Sequence, residues 1–248
     1  MIVFDLPSSY SDSGPIFITY SDKIQSVIFD GRWSFFSEWK ESSLNDIGES
    51  LKIRTAHHDD YVYIFVDVLS DSTLDKDKDK ATVCFDTKNS KSEFPDIDDY
   101  CFTAVLDSDI GITLQGGIDD TTEKSFVEIP NHENFIAIGA VSDKNDRYLK
   151  TPHPSYEFKI PTDVITRNNL YGFYLETFNA DTGKTLSWPP NTNSSNPISS
   201  PIKWGEMISP DKSLPEFPLP MLLLTILVLT MIIVSRKLNY GRLRINIH

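Results

Sequence analysis

Basic residues and cysteines are scarce in this chain of 248 residues: 23 Lys and Arg stand against 36 Asp and Glu, and there are two cysteines. The shortage of positive charge leaves a formal net charge of −13 at pH 7. Such a surface repels nucleic-acid phosphates and anionic lipid headgroups, so nucleic acid is excluded as a leading partner. Two cysteines cannot build a cysteine-rich zinc site. Cys84 and Cys101 sit in the runs ATVCFDT and YCFTAVLD, where one disulfide and two buried thiols both remain open. No H-E-x-x-H, G-x-S-x-G or phosphate-loop pattern occurs. Acids are plentiful, but nothing singles out the pair that glycoside hydrolysis needs, so an enzymatic function has no support. Helical periodicity is nearly absent, apart from short turns in FFSEWKES and PTDVITRN. The opening MIVFDLPSSYSDSGPIFITY also lacks the basic and apolar regions of a secretory signal.

One long apolar run stands out against this background. Phe217 to Ser235 gives nineteen uncharged residues, enough for a transmembrane helix at 1.5 Å rise per residue with slight mismatch. Arg236, Lys237, Arg242 and Arg244 follow it without an acid, whereas Asp211, Lys212 and Glu216 precede it. Positive flanks stay cytoplasmic, so the large N-terminal part is expected outside the cell. Residues 1–213 then hold 19 basic and 35 acidic residues, a formal charge of −16. An exported domain without a visible signal implies either a start upstream of Met1 or a tail-anchored cytoplasmic protein, and the flanking charges favour the former.

Between the termini the pattern is that of strands. In YVYIFVDV, Val62, Ile64, Val66 and Val68 alternate with Tyr61, Tyr63, Phe65 and Asp67. IFITY, SVIFD, LKIRTA, ATVCFD, CFTAVLD, GITLQ, FIAIGAV, YEFKI and YGFYLETF read similarly, separated by turn-rich pieces such as DSTLDKDKDK and NADTGK. About ten strands without βα alternation predict an all-β fold, an antiparallel, jelly-roll-like β-sandwich. The expected organisation is an N-terminal segment (1–14), the sandwich (15–208), a linker (209–216), the membrane helix (217–235) and a basic cytoplasmic tail (236–248).

Several short pieces then occur in a telling order: IFDGRWSFFSEW, HHDDYVYIFVDVLSD, ATVCFDTKNS, YEFKIP and GFYLETFNADTGKTLSWPP, closing on IKWGEM. Their order resembles the β-sandwich superfamily of family-nine carbohydrate-binding modules and DOMON-type sugar- and haem-binding domains. The matching positions are the Asp30-Gly31-x-Trp33 opening, Asp59-Asp60 before a strand ending on Asp67, then Asp86, Glu157 to Pro161, and Trp204-Gly205. The likeness covers about residues 24–208. It implies a non-catalytic, cell-surface carbohydrate-binding domain whose partner is a glycan or cell-wall polymer. It leaves room for a structural calcium ion, without ligands assigned. Pro215-Glu216-Phe217, the apolar span and the arginines resemble the PEF-type sorting signal of archaeal surface proteins. Alternatives are a haem-binding redox module and an envelope component without ligand.

Trp188 is the candidate ligand-binding residue. It follows the NADTGK turn and precedes Pro189-Pro190, so it is expected at a loop edge, where an indole can stack on a sugar's apolar face. Trp33 and Trp39 are expected to pack the core and its lid, and Trp204 to be structural. Asp75, Asp77 and Asp79 offer oxygen ligands, but Lys80 stands where a calcium-binding loop needs glycine, which predicts a solvated loop. His57 and His58 would point to opposite faces of a strand and not converge. For haem, the methionines before the apolar run are Met1 and Met207, the latter in the structural W-G-E-M strand, so His132 and His153 remain as conceivable axial ligands, both expected on water-facing loops.

Overall fold

The computed structural model describes residues 14–117, 125–190 and 198–211, together with 227, 230, 231 and 233. It divides into two units, Met1–Leu214 and Pro215–His248. The predicted membrane helix and basic tail fall almost wholly outside the described residues; Leu227, Thr230, Met231 and Ile233 are helical. Among the described residues, no helix is long and apolar enough to cross a membrane.

Among the described residues, the first unit is a sandwich of fourteen strands. In chain order the first seven are β1 (Ile16–Phe17), β2 (Thr19–Tyr20), β3 (Ser43–Ile47), β4 (Leu51–His58), β5 (Tyr61–Asp67), β6 (Lys80–Asp86) and β7 (Asp99–Val105). Then come β8 (Ile112–Gln115), β9 (Val127–Ile129), β10 (Ile136–Val141), β11 (Pro154–Pro161), β12 (Leu170–Asn179), β13 (Lys184–Trp188) and β14 (Gly205–Ile208). A single-turn helix, α1 (Thr162–Ile165), joins β11 towards β12, in the segment where PTDVITRN suggested a turn. One eight-stranded sheet runs β1-β14-β12-β6-β7-β8-β9, with β13 also paired to β12. The other, six-stranded, runs β10-β11-β5-β4-β2, with β3 also on β4.

The expectation of a purely antiparallel sandwich needs correction. β1 pairs parallel with β14, and β2 parallel with β4. The predicted strand IFITY is thus divided at Ile18 between the two sheets, each half contributing two residues. Ile18 itself is fully buried, and its amide donates to the Ile208 carbonyl. A chain shared between two edges has no hairpin to impose antiparallel pairing. SVIFD is also not a strand: Ile24–Ser26 form one 3-10 turn, with Val27 in the hydrophobic cover beyond it.

Alternation along β5 explains the layering. Val62, Ile64 and Val66 point between the sheets into the main core, with Phe85, Phe102, Phe158, Phe173 and Tyr171. Tyr63 and Phe65 point to the outer face, yet they too are buried, because the opening segment folds over them with Ile24, Val27, Trp33 and Trp39. Both tryptophans therefore act as core and lid packing. Trp39 stacks on Phe65 at 5.5 Å between ring centroids, and Trp33 meets Phe65 edge-on at 6.0 Å. On the outer face of the other sheet, cross-strand neighbours Cys84 and Cys101 form a disulfide beside Tyr174 and Trp204. That answers the alternative left open by the cysteine spacing.

Candidate functional site

Trp188 is not at a loop edge. It ends β13, opposite Leu175, is 2% exposed, and belongs to the main core. Its ring lies 6.0 Å from that of Phe173. Its far edge closes on Gly205, where an added Cβ would meet it at 2.3 Å. The reason is local: KTLSW continues as a strand after the NADTGK turn and folds back on β12, which turns its last side chain inward. In this conformation the indole offers no face to a ligand.

The residues that do open a cleft are organised by Asp86. From the end of β6, one carboxylate oxygen accepts the Ser90 amide (2.9 Å) and the other the Lys91 amide (2.8 Å). Asn89 and Lys91 both have positive φ, so the chain turns tightly here at a backbone cost that these hydrogen bonds offset. Lys91 then donates to the carbonyls of Trp204 (2.5 Å) and Gly205 (2.7 Å). Half-burial holds its ammonium below the usual lysine range. Ile202 donates to the Ser92 carbonyl at 2.9 Å, and the Ser200 hydroxyl to that of Glu93. The returning limb is set by Asp99, fully buried, which accepts the Asp96 amide at 2.7 Å. Burial pushes the Asp99 carboxyl up to about 7.

These ties join the segments 91–99 and 199–205, which contribute to the lining of a cavity of about 660 Å³. Phe94, Pro95, Leu114, Phe126, Ile202 and Lys203 are among its lining residues. Phe94 is 56% exposed. Phe126 caps an aromatic ladder, stacked on Trp204 at 6.1 Å and 7°, with Trp204 in turn stacked on Tyr174 at 6.2 Å and 14°. Trp204 is fixed by donation from its indole to the Ser199 carbonyl (2.7 Å). Its predicted structural role thus includes backing the lining residue Phe126. Glu93 and the hydroxyls of Ser125, Ser199 and Ser200 supply a polar fringe. A second cavity, about 310 Å³, lies at the other end, lined by Tyr156, Phe178, Asp71, Asn179 and Lys184 among others.

On the outer face of the six-stranded sheet, Glu157 binds the Asp-Gly-x-Trp opening. One oxygen accepts the amides of Asp30 (2.9 Å) and Gly31 (2.8 Å), and the other accepts the Trp39 indole N–H (2.9 Å). Gly31 has positive φ, and a Cβ there would meet the Ala140 amide nitrogen at 2.6 Å, which makes glycine the fitting residue. Burial raises the Glu157 carboxyl to about 8 although three donors favour its charged form.

The remaining predicted residues divide between scaffold and surface. Asp79 is buried and accepts the Asp75 and Ala180 amides, both at 2.8 Å, while Asp75 is half-buried and Asp77 is exposed. His57 and His58 lie on β4; their rings approach Tyr20 at 5.8 and 5.5 Å. His132 is half-buried and pairs with Asp163 at 3.2 Å. His153, expected on a water-facing loop, is instead fully buried at the entry to β11, and Met207 is fully buried in the core. Neither therefore presents a ligand atom to an open haem crevice. His153 Nε2 lies 2.6 Å from Asp67 Oδ1, and Nδ1 lies 2.7 Å from the Thr151 carbonyl and 2.9 Å from Ser142 Oγ. Burial pushes Asp67 up to about 6.

Fold and site together define an all-β sandwich of two mixed sheets presenting an aromatic-walled cleft. No family model matches the chain, and no curated protein matches it. Among solved structures it is similar to a carbohydrate binding module family 9 (CBM9) from Caldicellulosiruptor kristjanssonii in complex with glucose. That match has 14% identity and a TM-score of 0.51, covering 79% of this chain and 95% of that one. A CBM9 from the same organism in complex with cellotriose matches at 14% identity and a TM-score of 0.49, covering 79% and 93%. At such identity the likeness is one of fold.

Proposed function

We propose that the chain is a non-catalytic binding module whose Phe94–Phe126 cleft takes a carbohydrate. The observation that carries this reading is one cavity lined both by an exposed phenylalanine and by the end of an aromatic ladder, with serines, Glu93 and Lys203 beside them. A pyranose ring has an apolar C–H face that suits an aromatic ring and an equatorial belt of hydroxyls that suits such a fringe. The fold shared with a module in complex with glucose supports the same ligand class. Glu93 is the one carboxylate among the described lining residues, whereas glycoside hydrolysis uses two.

The finer parts of the reading rest on sequence. The uncharged run 217–235 followed by basic residues 236–244 supports a single membrane span with the sandwich outside. The PEF-like tail supports a surface location. Haem binding draws no support from Met207 and His153, both buried.

A glycan array followed by calorimetry on the full chain tests the site. Wild type should bind at least one saccharide class. Phe94→Ala should weaken it by about 1–3 kcal/mol, or roughly 5- to 150-fold, through lost aromatic contact. Absence of any saccharide binding, or undiminished affinity in the variant, would reject the site.

A further inference from the structure

We infer that Asp67, Asp146 and His153 form a buried binding site for one divalent metal ion of the zinc class. Asp67 ends β5, His153 directly precedes β11, and Asp146 lies in the loop between β10 and β11. All three are at most 1% exposed, and their donor atoms lie within 4.8 Å of one another.

The hydrogen bonds orient the imidazole. A carbonyl can only accept, so the contact between His153 Nδ1 and the Thr151 carbonyl places the proton on Nδ1. In the neutral ring, Nε2 then presents a lone pair to Asp67 Oδ1 at 2.6 Å and to Asp146 Oδ2 at 3.9 Å. A lone pair against two carboxylates in a dry interior is repulsive unless a cation, either a proton or a metal ion, stands there. Metal-bound histidines characteristically donate their other N–H to a carbonyl in this way.

A second observation points to the same cation. Asp67 Oδ2 and Asp146 Oδ2 are buried and have no hydrogen-bond partner. Asp146 Oδ1 is already engaged by the amides of Tyr148 and Leu149, both at 2.8 Å. The nearby cations are directed elsewhere. Arg54 donates to Tyr148 Oη and to the carbonyls of Trp39 and Ser42, and Lys150 to the Asp146 carbonyl. Two ligands of a tetrahedral zinc ion stand about 3.4 Å apart, so loading would part Nε2 from Asp67 Oδ1, now at 2.6 Å, and draw it towards Asp146 Oδ2, now at 3.9 Å. One imidazole with two carboxylates suits zinc better than calcium, which takes six to eight oxygens. A bound ion would staple the β10–β11 loop to the end of β5, so loading accompanies folding. This inference is independent of the saccharide site.

The test uses the full chain, stripped with chelator, unfolded and refolded with Zn2+, then desalted into metal-free buffer. Elemental analysis should find one equivalent of zinc, and refolding with Co2+ should give visible d–d absorption. Asp146→Asn keeps the oxygen that accepts the two amides, so it should fold while losing the retained metal and the cobalt spectrum. His153→Gln should do the same wherever it folds. Wild type that retains no zinc, or an Asp146→Asn protein that retains as much as wild type, would overturn the site and leave a protonated imidazolium as the cation there.

Discussion

Replacing Trp188 by alanine separates two locations that sequence alone does not distinguish. At a loop edge the substitution would cost little stability. In the structure the indole is 2% exposed, packed on Phe173 and closed by Gly205. Its neighbours are strand residues of β12 and a glycine with no side chain to move into the gap, so collapse is limited. Deleting a buried tryptophan under such conditions costs about 3–5 kcal/mol. For a domain of this size each kcal/mol lowers Tm by about 2–4 °C, so a drop of roughly 6–20 °C is expected. Thermal unfolding followed by circular dichroism reads it directly. Saccharide affinity, measured well below the transition, should stay near that of wild type because Trp188 does not line the Phe94 cleft. A Tm within about 2 °C of wild type, given the same scale, would refute the buried placement.

Two further outcomes follow from charge. Burial raises Glu157 from 4.5 to about 8, Glu176 from 4.5 to about 7 and Asp99 from 3.8 to about 7. Each keeps its proton in the folded state where the unfolded chain has released it, so this stability is full below about pH 4 and lost as pH rises through 7–8. His57, pushed down to about 4 by burial, has the opposite slope, but only between 6.5 and 4. Stability should therefore fall by ~1–3 kcal/mol from pH 6.5 to pH 8; a flat or rising urea midpoint would contradict the buried-carboxyl account. For topology, protease added to intact cells should remove the residues before Leu214 and spare the basic tail, as the positive-inside rule requires. Cleavage of the tail with the sandwich protected would reverse the orientation.

The strands with strong alternation were legible. YVYIFVDV gave β5, and its two faces became the inter-sheet core and the surface beneath Trp33 and Trp39. β13 is not, because KTLSW opens on lysine and threonine and its alternation rests on two apolar residues alone, Leu186 and Trp188; so short a period does not separate a strand from a loop edge, and the placing of Trp188 failed for that reason. β1 and β2 hold two residues each, too few for a period to reveal direction. SVIFD has strand-like composition but spends its apolar residues on covering the outer face. Phe94 sits in an irregular loop, where no periodicity marks an exposed ring. His153 and Asp67 are 86 residues apart in sequence and meet only because β11 pairs with β5. Glu157 could be matched by resemblance, but its grip on the Asp30 and Gly31 amides needed the register.

The central claim is that the Phe94–Phe126 cleft binds a saccharide. The most direct measurement is a calorimetric titration of wild type and Phe94→Ala with the tightest ligand from a glycan array, alongside the Tm of each. The account predicts 1:1 binding to wild type, a loss of about 1–3 kcal/mol in the variant, and unchanged Tm, because an exposed ring is removed without leaving a core cavity. Equal affinity in the two proteins, or no saccharide bound by wild type, would contradict it.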